Sequence, residues 1–540
     1  MTSRLPLRLL VAVVAGLVLT AMFEPVGLVV AGPLGVAGYA LALRGARVRT
    51  ALLVSLVFGA VFSFVQLWWM QAVGTGAWIA LSLIETAYFL LLGPVVAVLH
   101  RLRAWPVLVA PAWVAYEELR AGWPFGGFPW ARLSFGVVDT PFAALLPWIG
   151  MPGVSLVLAL LATTSLWAAL RLRDCVGPLD RAGLLRRARL LAAPVAILVV
   201  VGVAAALTAY AGPTDGERVR VAAVQGDVGG DGDDVVAVHR QVTRDHATTT
   251  EELAADVAAG DADAPAFAVW PENSTAVDPF TDGEAYGEIT RAVAALGVPV
   301  LVGGMVDAVS DEQVLNQGIV WDPVSGPGDR YAKHHPVPFG EYIPFRNDTL
   351  TDIVEQFDLI PRDMLAGVRR SPLDIEGVAV ANAICFDVAY DDLFHDQVAA
   401  GAQLVTVQTS NAMFIRTHQI DQQFEITRLR AIATGKYVVV AAINGRSGII
   451  APDGSVVADI GTRERGVVAA DVVLNDDVPL GLRVGPWLAR GAFAATLLAV
   501  LLALVTSSRR IPTVGRSAAD RPAGTVEADD PTTAREAAQR

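Results

Sequence analysis

Lysine is nearly missing from this chain: two of 540 residues, Lys333 and Lys436, against 39 arginines. Charge is scarce altogether, at 18% of residues where a soluble globular chain carries about 25%. With 54% hydrophobic residues and a mean hydropathy of +0.48, this excludes a disordered chain and a wholly soluble enzyme. No Gly-x-Ser-x-Gly elbow occurs, which disfavours a serine hydrolase. No zinc-type Cys/His spacing occurs, and there is no internal repeat. Cysteine occurs twice, as Cys175 and Cys385.

What charge there is divides unevenly. Residues 212–484 hold 42 acidic and 19 basic side chains, a net of −23, and the remainder nets +10. An acidic block is thus held between apolar, basic flanks. A bilayer core of ~30 Å takes roughly 20 apolar residues per helix. The flanks offer eight such stretches, near Pro6–Phe23, Val26–Leu43, Ala51–Met70, Ala77–Leu99, Ala104–Tyr116, Pro141–Leu170, Leu190–Tyr210 and Val484–Val505. The fifth is short and runs into Glu117 and Glu118. The first lacks a small-x-small cleavage pattern and reads as an uncleaved helix.

Every second connection is basic: Arg4 and Arg8, Arg44 to Arg49, Arg101 and Arg103, Arg171 to Arg189, and Arg509 with Arg510. These belong in the cytoplasm by the positive-inside rule, with both termini. The acidic block then lies outside, and Cys175 and Cys385 fall on opposite sides, which excludes an intrachain disulfide. The expected organisation is a multi-pass helical membrane bundle over 1–211, an extracytoplasmic α/β domain over 212–483, an eighth span over 484–506, and a disordered tail over 507–540. Glu85, mid-span in the fourth helix, is either functional or paired. Trp123, Trp130 and Trp148 suit an interfacial belt.

Within the acidic block short apolar runs alternate with helix-like stretches, which argues for an α/β core. Three places carry chemistry. In Val269-Trp-Pro-Glu-Asn-Ser274, Pro271 stops a strand and sets Glu272 at its end. In Tyr331-Ala-Lys-His-His335, a lysine is retained where arginine supplies nearly all positive charge, as suits an ammonium point charge. Adjacent His334 and His335 are expected to point apart, so no metal is expected. In Ala383-Ile-Cys-Phe-Asp387, Cys385 ends an apolar strand close before a helix, whose dipole is expected to favour its thiolate. The Phe386 N–H would face a developing oxyanion. A thiol nucleophile, a carboxylate base and a cation are the parts of an acyl-transfer site.

Glu in Trp-Pro-Glu, Lys in Tyr-x-Lys and Cys at a strand end resemble the Glu-Lys-Cys triad of the nitrilase superfamily. With about eight spans, the chain resembles that superfamily's membrane branch, the apolipoprotein N-acyltransferases. Val224-Gln-Gly-Asp-Val228, Gly127-Phe-Pro-Trp130, Pro338-Phe-Gly-Glu-Tyr-Ile-Pro344, Thr409-Ser-Asn411 and Ala451-Pro-Asp-Gly454 carry the likeness along nearly the whole chain.

The resemblance implies an α-β-β-α sandwich and a two-step acyl transfer without a cofactor. Glu272, Lys333 and Cys385 would be catalytic. Glu341, Phe386 and Asp387 would support them, and Trp270, Phe339, Tyr342 and Asn411 would touch substrate. It implies a phospholipid acyl donor, a diacylglyceryl apolipoprotein acceptor, the cytoplasmic membrane as location, a monomer, and no nucleic acid. Two alternatives share these residues: a membrane-tethered amidase that uses water, and a non-catalytic lipid- or lipoprotein-binding relative. The chain departs from the family in having Cys-Phe-Asp for Cys-Tyr-Glu, and Ala412-Met-Phe-Ile-Arg416 for Asp-Ala-Trp-Phe-Gly.

Overall fold

The computed structural model describes residues 5–175, 180–208, 216–235, 238–346 and 360–508. Among these, seven apolar helices come first: α1 (Leu5–Thr20), α2 (Ala31–Leu43), α3 (Val48–Gln66), α4 (Thr75–Leu99), α5 (Trp105–Gly122), α6 (Leu146–Arg173) and α7 (Arg181–Thr208). Five apolar helical stretches have the length and composition to cross a membrane: Val48–Gln66, Thr75–Leu99, Ala143–Arg173, Ala182–Leu207 and Leu480–Thr506. α1 and α2, at 16 and 13 residues, are shorter than a full span.

The fifth helix does not stop at Tyr116. It continues through Glu117, Glu118 and Arg120 because each finds a partner. Glu117 accepts hydrogen bonds from the Trp113 indole and the Leu133 N–H, Glu118 pairs with Arg132, and Arg120 pairs with Glu85 at 2.7 Å. Glu85 is therefore a paired buried charge. The Trp belt needs correction: Trp123 and Trp148 are exposed, but Trp130 is 2% exposed and lies in the core.

The α/β part holds thirteen strands among the described residues. They are β1 (Arg218–Gln225), β2 (Phe267–Val269), β3 (Val300–Asp307), β4 (Gln313–Asp322), β5 (Gly326–Ala332), β6 (Asp363–Met364), β7 (Leu373–Ile375), β8 (Val378–Ile384), β9 (Leu404–Thr409), β10 (Val438–Ala442), β11 (Ser447–Ile450), β12 (Val456–Ile460) and β13 (Gly466–Val473). One sheet runs β13-β1-β2-β3-β4-β5 with β6 beside β4, and the other runs β12-β11-β10-β9-β8-β7. β1, β2 and β3 are mutually parallel, as are β8, β9 and β10.

The sheets meet face to face. Gln408 on β9 reaches across to the carbonyls of Trp270 and Leu301. Helices α8 (His239–Ala259) and α9 (Gly283–Leu296) cover the outer face of the first sheet, and α10 (Asp391–Ala399) and α11 (Gln419–Thr434) that of the second. Strands covered on both faces read as unbroken apolar runs, as β10 does. Helix α12 (Leu480–Ser508) follows β13 and returns among the apolar helices, packing on α5 and α6.

Strands β5, β6, β7 and β13 are not expected from the sequence. β5, Gly-Pro-Gly-Asp-Arg-Tyr-Ala, lacks the alternation that marks a strand. The apolar strand expected to end at Cys385 stops one residue earlier, at Ile384, and a 3-10 turn takes Cys385–Ala389. The expected boundary at 211/212, Arg4, and the tail from 509 onward lie outside the described residues.

Gly303 sets how closely the segment after β2 lies on β3. A Cβ there would sit 2.0 Å from the Pro271 carbonyl oxygen and 2.8 Å from the Glu272 Cα. G303A is therefore expected to destabilise the fold by about 1–3 kcal/mol through overpacking. It should also displace Glu272. Thermal melting followed by circular dichroism checks the first effect, and an unchanged midpoint would contradict it.

Candidate active site

Four ionisable side chains converge where the two sheets meet. Glu272 lies three residues past β2, beyond Pro271, and is 3% exposed. Its Oε1 accepts from Asn316 Nδ2 at 2.7 Å and Lys333 Nζ at 3.1 Å, and its Oε2 accepts from the Ser410 N–H at 2.9 Å. Lys333 directly follows β5. Its N–H donates to the Asn316 carbonyl at 2.8 Å, and its side chain is fully buried. Lys333 Nζ also donates to Glu341 Oε1 at 2.6 Å, while Glu341 Oε2 accepts from the Val337 N–H at 2.8 Å. Cys385 follows β8 with φ +50°, a left-handed conformation that costs a non-glycine residue about 1–3 kcal/mol. Asn273, Phe339 and Asn411 are left-handed too, so strained backbone gathers around this site.

The electrostatics follow from one ammonium among two carboxylates. Burial works against the Lys333 charge, but Glu272 and Glu341 outweigh it and hold the ammonium well above the ordinary lysine range. Burial raises Glu341, opposed by Lys333. The Cys385 thiol is pushed up to about 12 by burial and by the Glu272 charge; Lys333 and the Thr409 hydroxyl pull the other way and do not prevail. This corrects the expectation of a dipole-stabilised thiolate. At rest the sulfur keeps its proton, so attack requires a base.

The sequence-derived residues divide into two groups. Glu272, Lys333, Cys385 and Glu341 come together. Phe386 stacks on Phe128 and Trp130, with ring centroids 5.1 and 6.0 Å apart. Asp387 is fully buried and accepts from Tyr331 Oη and from the N–H groups of His334, His335 and Ile384, which ties the lysine segment to the cysteine turn. Phe339 and Tyr342 face the 122–128 segment: Phe339 packs edge-on against Phe125, and Tyr342 donates to the Phe125 carbonyl.

Two substrate assignments are corrected. The Trp270 indole is 0% exposed, packs with α8 in the core of the first sheet, and donates to Thr250; strand alternation turns it away from the site. Asn411 is buried, with its amide committed to Thr409, Gln419 and Gln423.

His334 and His335 do not point apart. The chain has left the strand at Ala332, so alternation no longer applies. Their rings lie 4.8 Å apart, and both face Asp392, with His335 Nε2 at 3.0 Å and His334 Nε2 at 4.0 Å. Ligand-type atoms of these three residues lie within 4.8 Å of one another. Arg370 stands 3.7 Å from the same carboxylate and gives it a cationic partner.

Asn316 and Ser410, which hold Glu272, were not anticipated. Asn316-Gln317 inside an otherwise apolar strand was the available signal, since a polar pair in a doubly covered strand must find partners.

A family model described as the apolipoprotein N-acyltransferase N-terminal domain matches residues 15–164, and a carbon-nitrogen hydrolase model matches residues 220–477. The apolipoprotein N-acyltransferase of Mycolicibacterium smegmatis is 32% identical over 475 residues, 85% of this chain and 78% of that protein. Those of Ralstonia nicotianae (30% over 504 residues, 87% and 88%) and Photobacterium profundum (25% over 513 residues, 89% and 92%) are similar along most of their lengths. Among solved structures, a variant of the amidase from Nesterenkonia sp. AN1 aligns with 49% of this chain and 95% of its own, at 17% identity and a TM-score of 0.35.

In a C175A background, alkylation of Cys385 by iodoacetamide is expected to rise with pH from about 7 to 9.5 without a plateau, because a thiol near 12 is still protonated throughout. K333M removes a charge that favours the thiolate and should slow the reaction further. A plateau at neutral pH in the unaltered site would show a preformed thiolate instead.

Proposed function

The chain belongs to the apolipoprotein N-acyltransferase family and is an acyltransferase of lipoprotein N-termini, and we propose that Cys385 carries the acyl group between its two membrane-held substrates. The observation that supports this best is the cluster of Glu272, Lys333 and Glu341 around a protonated Cys385.

In the first half-reaction the thiol sulfur attacks the sn-1 ester carbonyl carbon of a phospholipid, and its proton passes to Glu272. The tetrahedral oxyanion is held by the Lys333 ammonium and the Phe386 N–H. The ester C–O bond then breaks, the leaving alkoxide takes the proton from Glu272, and lysophospholipid departs. In the second, the free α-amine of diacylglyceryl-cysteine attacks the thioester. Glu272 takes a proton from the amine and returns it to the departing sulfur, and an amide remains. Glu341 keeps Lys333 aimed at the oxyanion through both steps. No cofactor enters this scheme.

The α/β part lies on the extracytoplasmic side, over residues 212–483, with both termini in the cytoplasm. Arginines at Arg44, Arg47 and Arg49, at Arg101 and Arg103, and at Arg171 and Arg173 support this orientation. Phe339 and Tyr342, with the exposed rings of Trp123 and Phe345, form the mouth for the acyl chain. Confining both substrates to one leaflet brings ester and amine to the thiol already oriented.

Mass spectrometry of a lipoprotein N-terminus tests the reading. Cells with this chain as their acyltransferase should show the N-acylated form, and the C385A variant should show only the free amine. Purified protein given labelled phospholipid should hold the label as a hydroxylamine-labile thioester. Acylation by C385A would move the nucleophile elsewhere.

A further inference from the structure

Arg132 belongs to the segment that joins α5 to α6, yet it reaches the start of the helix that follows the turn carrying Cys385. Its residue is 2% exposed. Nη1 donates to Asp391 Oδ2 at 2.9 Å and Nη2 donates to Glu118 Oε1 at 2.5 Å. Asp391 opens α10, two residues after the Cys385–Ala389 turn. Its other oxygen accepts from Arg430 Nη1 at 2.6 Å, and Arg430 Nε donates to the Val388 carbonyl inside the turn at 2.7 Å. One carboxylate is thus shared by two buried arginines, one from the helical part and one from α11.

The same segment meets the turn at three more points. Phe128 and Trp130 stack on Phe386, and Tyr390 Oη donates to the Gly127 carbonyl at 2.9 Å. The segment is fixed from behind in turn. The Phe128 N–H donates to the Arg120 carbonyl at 2.7 Å, and the Arg120 guanidinium, paired with Glu85, donates to the Trp130 carbonyl.

We propose that Arg132 is a positioning residue for Cys385, clamping the nucleophile turn to the membrane-helix part so that segment 127–132 belongs to the acyl-transfer machinery. The turn needs such a clamp because Cys385 is held left-handed, a conformation that relaxes unless its surroundings over-determine it. The guanidinium fork is what makes Arg132 suitable. It reaches Glu118 and Asp391 at once, and a lysine ammonium on a flexible stem cannot fill both places.

The inference rests on the reading of Cys385 as the nucleophile, and pre-steady-state acylation separates the two. Purified full-length protein in phospholipid-detergent micelles should release a burst of lysophospholipid. Its amplitude counts folded sites, and its rate reports how well the sulfur is placed. Absence of a burst in the unaltered protein defeats the reading of Cys385.

Given that burst, R132K should keep amplitude and KM while its rate falls about 100-fold, the scale expected for a nucleophile misplaced by about 1 Å. D391E keeps the charge, shifts the carboxylate by one methylene, and should show the same loss of rate. An unchanged rate in either variant overturns the proposal. So does a fall in amplitude at constant rate, which is the signature of a residue that supports folding alone.

Discussion

Lys333 carries its charge in a place that water does not reach, between two carboxylates that need it there. Taking an ion out of water costs several kcal/mol even after the protein relaxes, and a buried charge persists only where partners and hydrogen bonds replace its hydration. Each member of this cluster is so provided. Lys333 donates to Glu272 and Glu341, Glu272 also accepts from Asn316 and Ser410, and Glu341 also accepts from Val337. One ammonium between two carboxylates leaves a net negative field at the cysteine. Burial first, and that field with it, keep the sulfur protonated. In the proposed reaction such a site holds the nucleophile inactive until a substrate brings the proton transfer and the attack together.

The rest of the architecture brings those groups to one point from different directions. Glu272 comes from the end of a parallel strand in one sheet and Cys385 from the end of a parallel strand in the other, which is where α/β folds expose side chains to ligands. Lys333 arrives on an antiparallel edge strand. Gly303 lets the Glu272 segment lie close on its neighbour. Asp387 ties the lysine segment to the cysteine turn through four hydrogen bonds, so two of the proposed catalytic groups share one support.

Membrane helices and α/β part are joined through polar contacts as well as through the chain. Trp130 Nε1 donates to Gln422, Gln422 donates to the Glu24 carbonyl, and Arg428 pairs with Asp139. Charged residues inside an apolar part of a chain are retained when they have a partner and a task. Glu85 and Arg120 meet both conditions by bracing the segment that carries Phe128 and Trp130.

Much of this was legible in residue order. The charge division between 212–484 and its flanks separated an acidic domain from apolar helices, because hydropathy and charge are additive along a chain. Near-absence of lysine singles out Lys333, and Pro271 marks the strand end that exposes Glu272. What failed was whatever depended on direction or on distant partners. Trp270 lies two residues before Glu272 but faces α8 together with Ala268, whereas the chain has left the strand at Pro271 before it reaches Glu272. His334 and His335 converge because the strand had already ended, and Asn411 turns into a network with residues of a later helix. The Cys385 thiol, expected to be acidified by a helix, is instead suppressed by burial and by carboxylates 113 and 44 positions away in the chain. Sequence alone thus determined which chemical groups are present, the broad division of the chain and the family it resembles, since these are local properties. Only the tertiary structure decided which groups meet, which are held apart and how each is charged, because burial and electrostatic fields depend on distance through space.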